Sequence, residues 1–536
     1  MSRRTVLISA GVLFCLYVLF SFGNNTRGFL GTDTGGKVAT LRAMDAHGTT
    51  DPDVGYWAER WDPDGSLHPL YYTSHIGSRW VNVTTLPAVY AALPLYRAFG
   101  YRGALVVPML GAVACALAAA ALARRLGARD GGRLAFWLVG LASPVTIYAL
   151  DFWEHTVGLA LMAWGVVVLV DLAQRKKVAW FGVAAGLLFG GAATMRTEAL
   201  AFGAVATAVV CVGLARRNLP LAVAVGALVA IGTSVPLFAN DALERSVLGT
   251  SLRAGRAQGT VAIAGSVTGD SRVKEAAITS VGINGEGDAR SLFIGAAVVA
   301  AIVAATLRRD WRLLALAGAL YAARAAQGLG FVPGFLMAAP IGLVGLTLGW
   351  RRGPPAALTL LIGFVALPLV WAVQFTGGAG PQWGGRYVLL SGFVLAVVGV
   401  VVLADLPAVL RQCMIGLAVG VTVFGGVWMH QRTHDIAVSA ARLEALPEPI
   451  LVSRIAHLVR EGGAVHDLRR WLTAPSSRDL EDVARIADAT HADRIAVVGL
   501  DGQAQPARIG SLVRQPLFTR LRLLHGVAIQ VWVYAR

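Results

Sequence analysis

Ionisable and aromatic side chains that could do chemistry cluster in a few short stretches of this 536-residue chain. The first, Gly31-Thr32-Asp33-Thr34-Gly35-Gly36-Lys37, sets a carboxylate among glycines. Near a membrane surface such a group can act as a general base or ligate a metal ion; it can equally be an ordinary turn residue. The second, Asp151-Phe152-Trp153-Glu154-His155, sets three ionisable groups beside two aromatic rings. Groups this polar at the edge of hydrocarbon are costly unless paired, hydrated or bound to a cation. Asp151, Glu154 and His155 are therefore candidates for positioning a substrate or a divalent cation, or for an interfacial hydrogen-bonded cluster.

Two arginines are placed to hold an anion. Arg196 and Glu198 stand in Met195-Arg196-Thr197-Glu198 between two apolar runs with almost no loop, and Arg324 stands inside an otherwise apolar run. A guanidinium there can pair a carboxylate structurally or grip a phosphate bidentately. In Pro381-Gln382-Trp383-Gly384-Gly385-Arg386-Tyr387 the glycines permit close backbone approach, Trp383 and Tyr387 can stack on a sugar, and Arg386 adds positive charge.

The elements that carry these residues follow from hydropathy. With 56% hydrophobic and 15% charged residues and a mean hydropathy of +0.62, the chain belongs in lipid. Runs such as 5–22, 178–195, 354–375 and 387–404 are each long enough to cross the roughly 30 Å hydrocarbon core. About thirteen such spans are expected. Arg3 and Arg4, Arg124 to Arg133, Arg175 to Lys177, Arg216 and Arg217, Arg308 to Arg312, and Arg351 and Arg352 mark every second short connection as basic. The positive-inside rule then puts the N-terminus in the cytoplasm and every stretch of interest on the opposite face. The net charge of +16 is a topology signal, and nucleic acid is not an expected partner. Cys15, Cys115, Cys211 and Cys413 fall in or at the ends of spans, where they read as small packing residues.

The expected organisation is a membrane domain over 1–430 and a soluble extracytoplasmic α/β domain over 431–536. Long outer loops are expected at about 23–101 and 240–290, the second containing Arg245, Arg253, Arg256, Arg272 and Lys274. Within the first loop, 37–46 reads as a short helix on the membrane and 86–99, broken by Pro87 and Pro94, as interfacial. Gly182, Ala184, Gly186, Gly190 and Gly191 suit close helix packing. In the tail, 450–452, 495–500 and 527–534 read as strands and 480–489 as a helix opened by Asp479. No P-loop, GxGxxG or triad spacing is present there, so it reads as an accessory or recognition module.

The layout resembles the GT-C superfamily of polyprenyl-phosphate-sugar-dependent membrane glycosyltransferases. The resemblance rests on Gly31-Thr32-Asp33 in a long first outer loop, the acidic Asp151–His155 loop, Arg196 with Glu198, and Trp383-Gly384-Gly385-Arg386-Tyr387 before a late span. It implies an α-helical polytopic fold that transfers sugar, by inversion, from a lipid-linked donor to an envelope glycan, lipid or protein acceptor. Asp33 matches the acid acting on the acceptor hydroxyl. Asp151, Glu154 and His155 match positions that place an acceptor or a metal, and Arg196, Arg324 and Arg386 match the donor phosphate. Glu198, Trp383 and Tyr387 would contact sugar or acceptor. Many relatives pair acids in the first loop where Thr34 follows Asp33 here, so a divalent cation is an open expectation and no cofactor is assigned. The expected site is a multi-pass plasma membrane, with membrane lipids as further partners. The rival is a lipid-linked saccharide or lipid transporter, which would collect charge near mid-membrane or show two related halves; neither is visible in the sequence. A scaffold that presents the tail is the third reading.

Overall fold

The computed structural model describes residues 3–29, 31–82, 85–128, 131–174, 179–252, 276–277, 279–284, 289–326, 331–373, 383–523 and 527–536. Among them, eight helices are long and apolar enough to cross a membrane: Arg3–Ser21, Val106–Arg125, His155–Ala173, Glu198–Ala215, Leu219–Leu248, Pro354–Trp371, Arg386–Asp405 and Ala408–Glu444. Gly131–Leu141, Phe181–Met195 and Leu292–Arg308 are shorter apolar helices. The chain is thus a multi-pass membrane protein, with a small sheet domain toward its C-terminus.

Several expected spans are broken, and prolines account for the breaks. The run 133–150 is two helices, Gly131–Leu141 and Pro144–Ala149, with Ser143 capping the second by accepting from the Val145 N–H at 3.2 Å. The missing N–H of Pro144 falls where a helix start leaves it unused. The run 330–350 divides in the same way into Phe335–Ala338 and Pro340–Leu348. Packing between helices relies on small residues: a β-carbon at Gly186 would overlap the Val229 carbonyl oxygen, and one at Gly232 would overlap that of Val183. Such contacts are how helices associate where lipid is as apolar as the interface.

Other boundaries shift outward. The helix expected to stop near 239 runs to Leu248 and ends on left-handed Gly249, whose N–H returns to the Arg245 carbonyl at 2.9 Å. Arg253, Arg256, Arg272 and Lys274 lie outside the described residues, as do Arg129, Arg175 to Lys177, Pro381 and Gln382. The segment 86–99 is part of a helix, Leu86–Ala104, interrupted at Gly100. Position 430 lies inside the 37-residue helix Ala408–Glu444, so the first strand of the tail begins only at Ile450.

That tail is a six-stranded sheet ordered Arg470–Thr473, Ile450–Ser453, Arg494–Leu500, Val527–Ala535, Leu512–Leu523, Arg508–Ile509. The first three strands are parallel, with Ile450 opposite Ile495, and the amphipathic helix Asp479–Ala489 makes a crossover. The remaining pairs are antiparallel, with Val531 opposite Val498. The sheet does not fold over a core of its own alone. Val54, Tyr56, Leu67, Leu70 and Trp80 from the long first loop share one buried cluster with Leu451, Trp471, Leu472 and Trp532. Main-chain bonds fix the seam: the Thr473 N–H donates to the Leu67 carbonyl at 2.9 Å, and the Trp57 indole N–H donates to the Trp471 carbonyl at 2.8 Å.

Candidate active site

Asp33 lies not in a loose turn but in the first turn of the helix Thr32–Ala46, where the exposed N–H groups favour a negative charge. The helix therefore starts five residues before the expected 37, and Lys37 stands one turn beyond Asp33 on the same face. One Asp33 oxygen is 3.1 Å from Arg386 Nη1 and the other 3.4 Å from Arg460 Nη1. Its side chain remains 22% exposed. Burial would raise the carboxyl pKa, but the nearby cations Arg386, Arg460, Lys37 and Arg196 reverse that and hold it well below the usual carboxylate range.

Each arginine is brought in by a close backbone approach. Before Arg386, two successive left-handed glycines, Gly384 (φ 71°) and Gly385 (φ 65°), turn the chain, and the Gly384 N–H donates to the Pro333 carbonyl at 2.9 Å. Arg460 comes from the sheet domain, on the short helix Leu458–Glu461. Here the Asp33 helix and the tail touch along their backbones: a β-carbon at Gly35 would overlap the Arg460 carbonyl oxygen, and one at Gly463 would overlap the Gly35 carbonyl. The Arg460 Nε–H donates to Asn82 Oδ1 at 3.1 Å.

The second acidic stretch lies behind the first. Thr34 donates its hydroxyl hydrogen to Asp151, whose other oxygen accepts from the Tyr101 hydroxyl at 3.0 Å. Glu154, with a side chain only 2% exposed, pairs with Lys37 and lies 3.3 Å from Arg196 Nη1. Burial pushes the Glu154 carboxyl up, and Lys37 and Arg196 pull it further down, leaving it below its ordinary value. Arg196 also pairs with Glu198 at 2.9 Å and stands over the Tyr387 ring, 5.2 Å from its centroid. Arg386 stacks on the same ring at 4.6 Å and donates to the Tyr387 hydroxyl at 2.9 Å. Asp33, Asp151, Glu154, Arg196, Glu198, Arg386 and Tyr387 are thereby linked in one assembly, although 353 positions separate Asp33 from Arg386.

Three expected site residues are placed differently. Trp383 is fully buried, packed 5.4 Å from Trp428 and 5.8 Å from Phe424, and presents no face to a sugar. Its indole fills space between helices, which is the commoner use of a large ring. His155 is buried in a stack with Tyr148 and Trp153, and its ring nitrogens make no hydrogen bond among the described residues. Arg324 is buried on the helix Trp311–Ala326, and the ion pairs around Asp33 do not include it.

Sequence reasoning missed Arg460 and Asn82 as partners of the site and read Lys37 only as the start of a surface helix. The tail, read as accessory, supplies one of the two cations on Asp33. No group of three or more His, Cys, Asp and Glu side chains that could hold a metal ion occurs among the described residues. Asp33, Asp151 and Glu154 are instead engaged by Arg386 and Arg460, by Thr34 and Tyr101, and by Lys37 and Arg196.

No protein-family model and no curated protein sequence matches the chain. Solved structures do. ArnT from Cupriavidus metallidurans in the apo state superposes with a TM-score of 0.54 at 13% identity, covering 99% of this chain and 98% of that one. The same protein bound to undecaprenyl phosphate gives 0.53 at 12% identity over the same shares. An oligosaccharyltransferase from Archaeoglobus fulgidus lies further off, with a TM-score of 0.47 at 12% identity, covering 92% of this chain and 70% of that one. From the first transmembrane helix to the last strand of the sheet domain, the chain has the fold of ArnT.

Proposed function

We propose that this protein is a membrane glycosyltransferase that moves a sugar from a polyprenyl-phosphate-linked donor to a cell-envelope acceptor on the extracytoplasmic face. The observation that carries the reading is the Asp33 carboxylate, partly open to solvent and held between Arg386 and Arg460. The fold shared with ArnT, a protein crystallised with undecaprenyl phosphate, supports a lipid-phosphate donor. Collection of the charged groups around one helix start argues against the transporter reading, which expects them along a path through the bundle.

In the transfer, the acceptor hydroxyl oxygen attacks the anomeric carbon while its proton passes to Asp33. The bond from that carbon to the phosphate oxygen breaks, and the lipid phosphate leaves with the electron pair. A single displacement of this kind inverts the anomeric centre and needs no covalent intermediate. Arg386 and Arg460 are positioned to stabilise the charge that grows on the phosphate. They also explain how a carboxylate so depressed in pKa can serve as a base. A phosphate that takes up their positive charge relieves Asp33 of it, so donor binding raises the basicity of Asp33 at the moment it is used. Arg196, Glu154 and Lys37 hold the far side of the cluster rigid.

The test is transfer of labelled sugar from a panel of polyprenyl-phosphate sugars to membrane extract by purified protein, beside Asp33→Asn. Transfer by the parent and its loss in a folded Asp33→Asn protein is expected. No transfer with any donor, or unaltered transfer in the variant, would overturn the assignment.

A further inference from the structure

Next to Arg460 stands a feature that transfer as described does not use. Tyr71 and Tyr72 are 38% and 57% exposed, with ring centroids 4.3 Å apart. Tyr72 has φ of +65°, a left-handed conformation that a tyrosine keeps only where its surroundings impose it. The surroundings are visible. Asn82 Nδ2 donates to the Leu70 carbonyl at 3.1 Å, to the Tyr71 carbonyl at 3.0 Å and to the Thr73 hydroxyl at 2.8 Å, pinning the turn from behind. The Oδ1 of the same Asn82 accepts from Arg460, the partner of Asp33. The Arg460 guanidinium lies 5.4 Å from the centre of the Tyr72 ring. From the sheet domain, His457 closes the wall, edge-on to Tyr71 at 4.6 Å and tilted against Tyr72 at 5.8 Å.

We infer that Tyr71, Tyr72 and His457 form a stacking subsite for a saccharide ring of the acceptor, which presents its hydroxyl to Asp33. The inference rests on the transferase reading and narrows it from any envelope acceptor to a glycan. Exposed, immobilised aromatic faces bind the apolar face of a sugar with little loss of side-chain freedom. Lipid anchoring does not account for them, because the turn is bound to the sheet domain: the Pro69 carbonyl accepts from the Thr473 hydroxyl at 3.2 Å. Position assigns the subsite to the acceptor. Asp33 offers one oxygen toward Arg386, which opens a membrane helix, and the other toward Arg460, which comes from the sheet domain and carries the Tyr72 ring 5.4 Å from its guanidinium. A donor tethered by its lipid belongs on the first side, and a glycan arriving from water belongs on the second.

The informative variant is Tyr72→Gly, since glycine is at ease at this φ and the fold should melt no lower. Full-length protein in lipid nanodiscs is probed by saturation-transfer NMR with methyl mannoside, galactoside and arabinofuranoside, and by acceptor titration in the transfer assay. Saturation of ring protons is expected for at least one glycoside with the parent, with Tyr72→Phe and with Asp33→Asn, and its loss in Tyr72→Gly. Acceptor KM should rise about tenfold in Tyr72→Gly while donor KM holds. Saturation that depends on Tyr72 without any transfer would keep the subsite and defeat the transferase reading. Transfer with no dependence of acceptor KM on Tyr72, or no glycoside signal from folded parent, would overturn the subsite.

Discussion

Asp33 and Glu154 are each held by two cations, yet their surroundings differ in one respect that separates their tasks. The Glu154 side chain is sealed, with Lys37 and Arg196 around it and 2% of its surface exposed. Asp33 meets two arginines, one opening a membrane helix and one from the sheet domain, and keeps 22% exposure. A sealed pair gives geometry, because removing either charge strands the other in a medium that cannot solvate it. An open pair leaves its carboxylate within reach of a ligand, while Arg386 keeps the Tyr387 hydroxyl and Arg460 keeps Asn82. The same kinds of residue therefore make a sealed strut in one place and an open carboxylate in another.

The contrast can be broken most directly at its two carboxylates. Asp33→Asn should lower transfer by about 10³-fold while the melting temperature falls less than in Glu154→Gln, since Arg386 retains Tyr387, Arg460 retains Asn82 and the site is partly open to solvent. Glu154→Gln should do the reverse in emphasis. Lys37 is stranded while Arg196 keeps Glu198, at a cost on the order of 3–5 kcal/mol of stability, read as a lower melting temperature in detergent. Equal thermal losses in the two variants would erase the distinction. Arg460→Gln is expected to reduce kcat by about 10²-fold, because it removes one of the two charges proposed to face the leaving phosphate; an unchanged kcat would assign Arg460 to structure alone.

The smallest effect is in the pH profile. The free-enzyme carboxyl of Asp33 is depressed, so it stays ionised as pH falls until well below about 3.9, the ordinary aspartate value. The acid limb of kcat/KM, which reports free enzyme, should accordingly lie at lower pH than that of kcat, where donor phosphate has taken up the arginine charge. Coincident limbs would show that donor binding leaves the Asp33 environment unaltered.

Hydropathy alone made the membrane architecture legible, since each long apolar run must form a helix to satisfy its backbone in lipid. It could not show where a run breaks, as at Pro144 and Pro340, because a proline at a helix start and one in a kink look alike in sequence. The acids and arginines around Asp33 were readable because charge near hydrocarbon is conspicuous. Arg460 was not, because it sits in a domain where charged residues are ordinary, and only folding brings it to Asp33. Trp383 misled for a related reason: an aromatic ring beside glycines at a membrane boundary looks like a binding surface whether it faces out or, as here, packs against Trp428.

The glycine-to-backbone contact between Gly35 and the segment Arg460–Gly463 also governs the order in which the protein can be built. Asp33 leaves the ribosome early, and its second cation leaves near the end of synthesis. Until then the first loop has lost neither its apolar partners Leu451 and Trp471 nor its need for them; it has only not met them. A chain interrupted before residue 460 can thread its membrane helices and still lack the second cation of Asp33, so biosynthesis itself delays completion of this charged cluster until insertion is nearly complete.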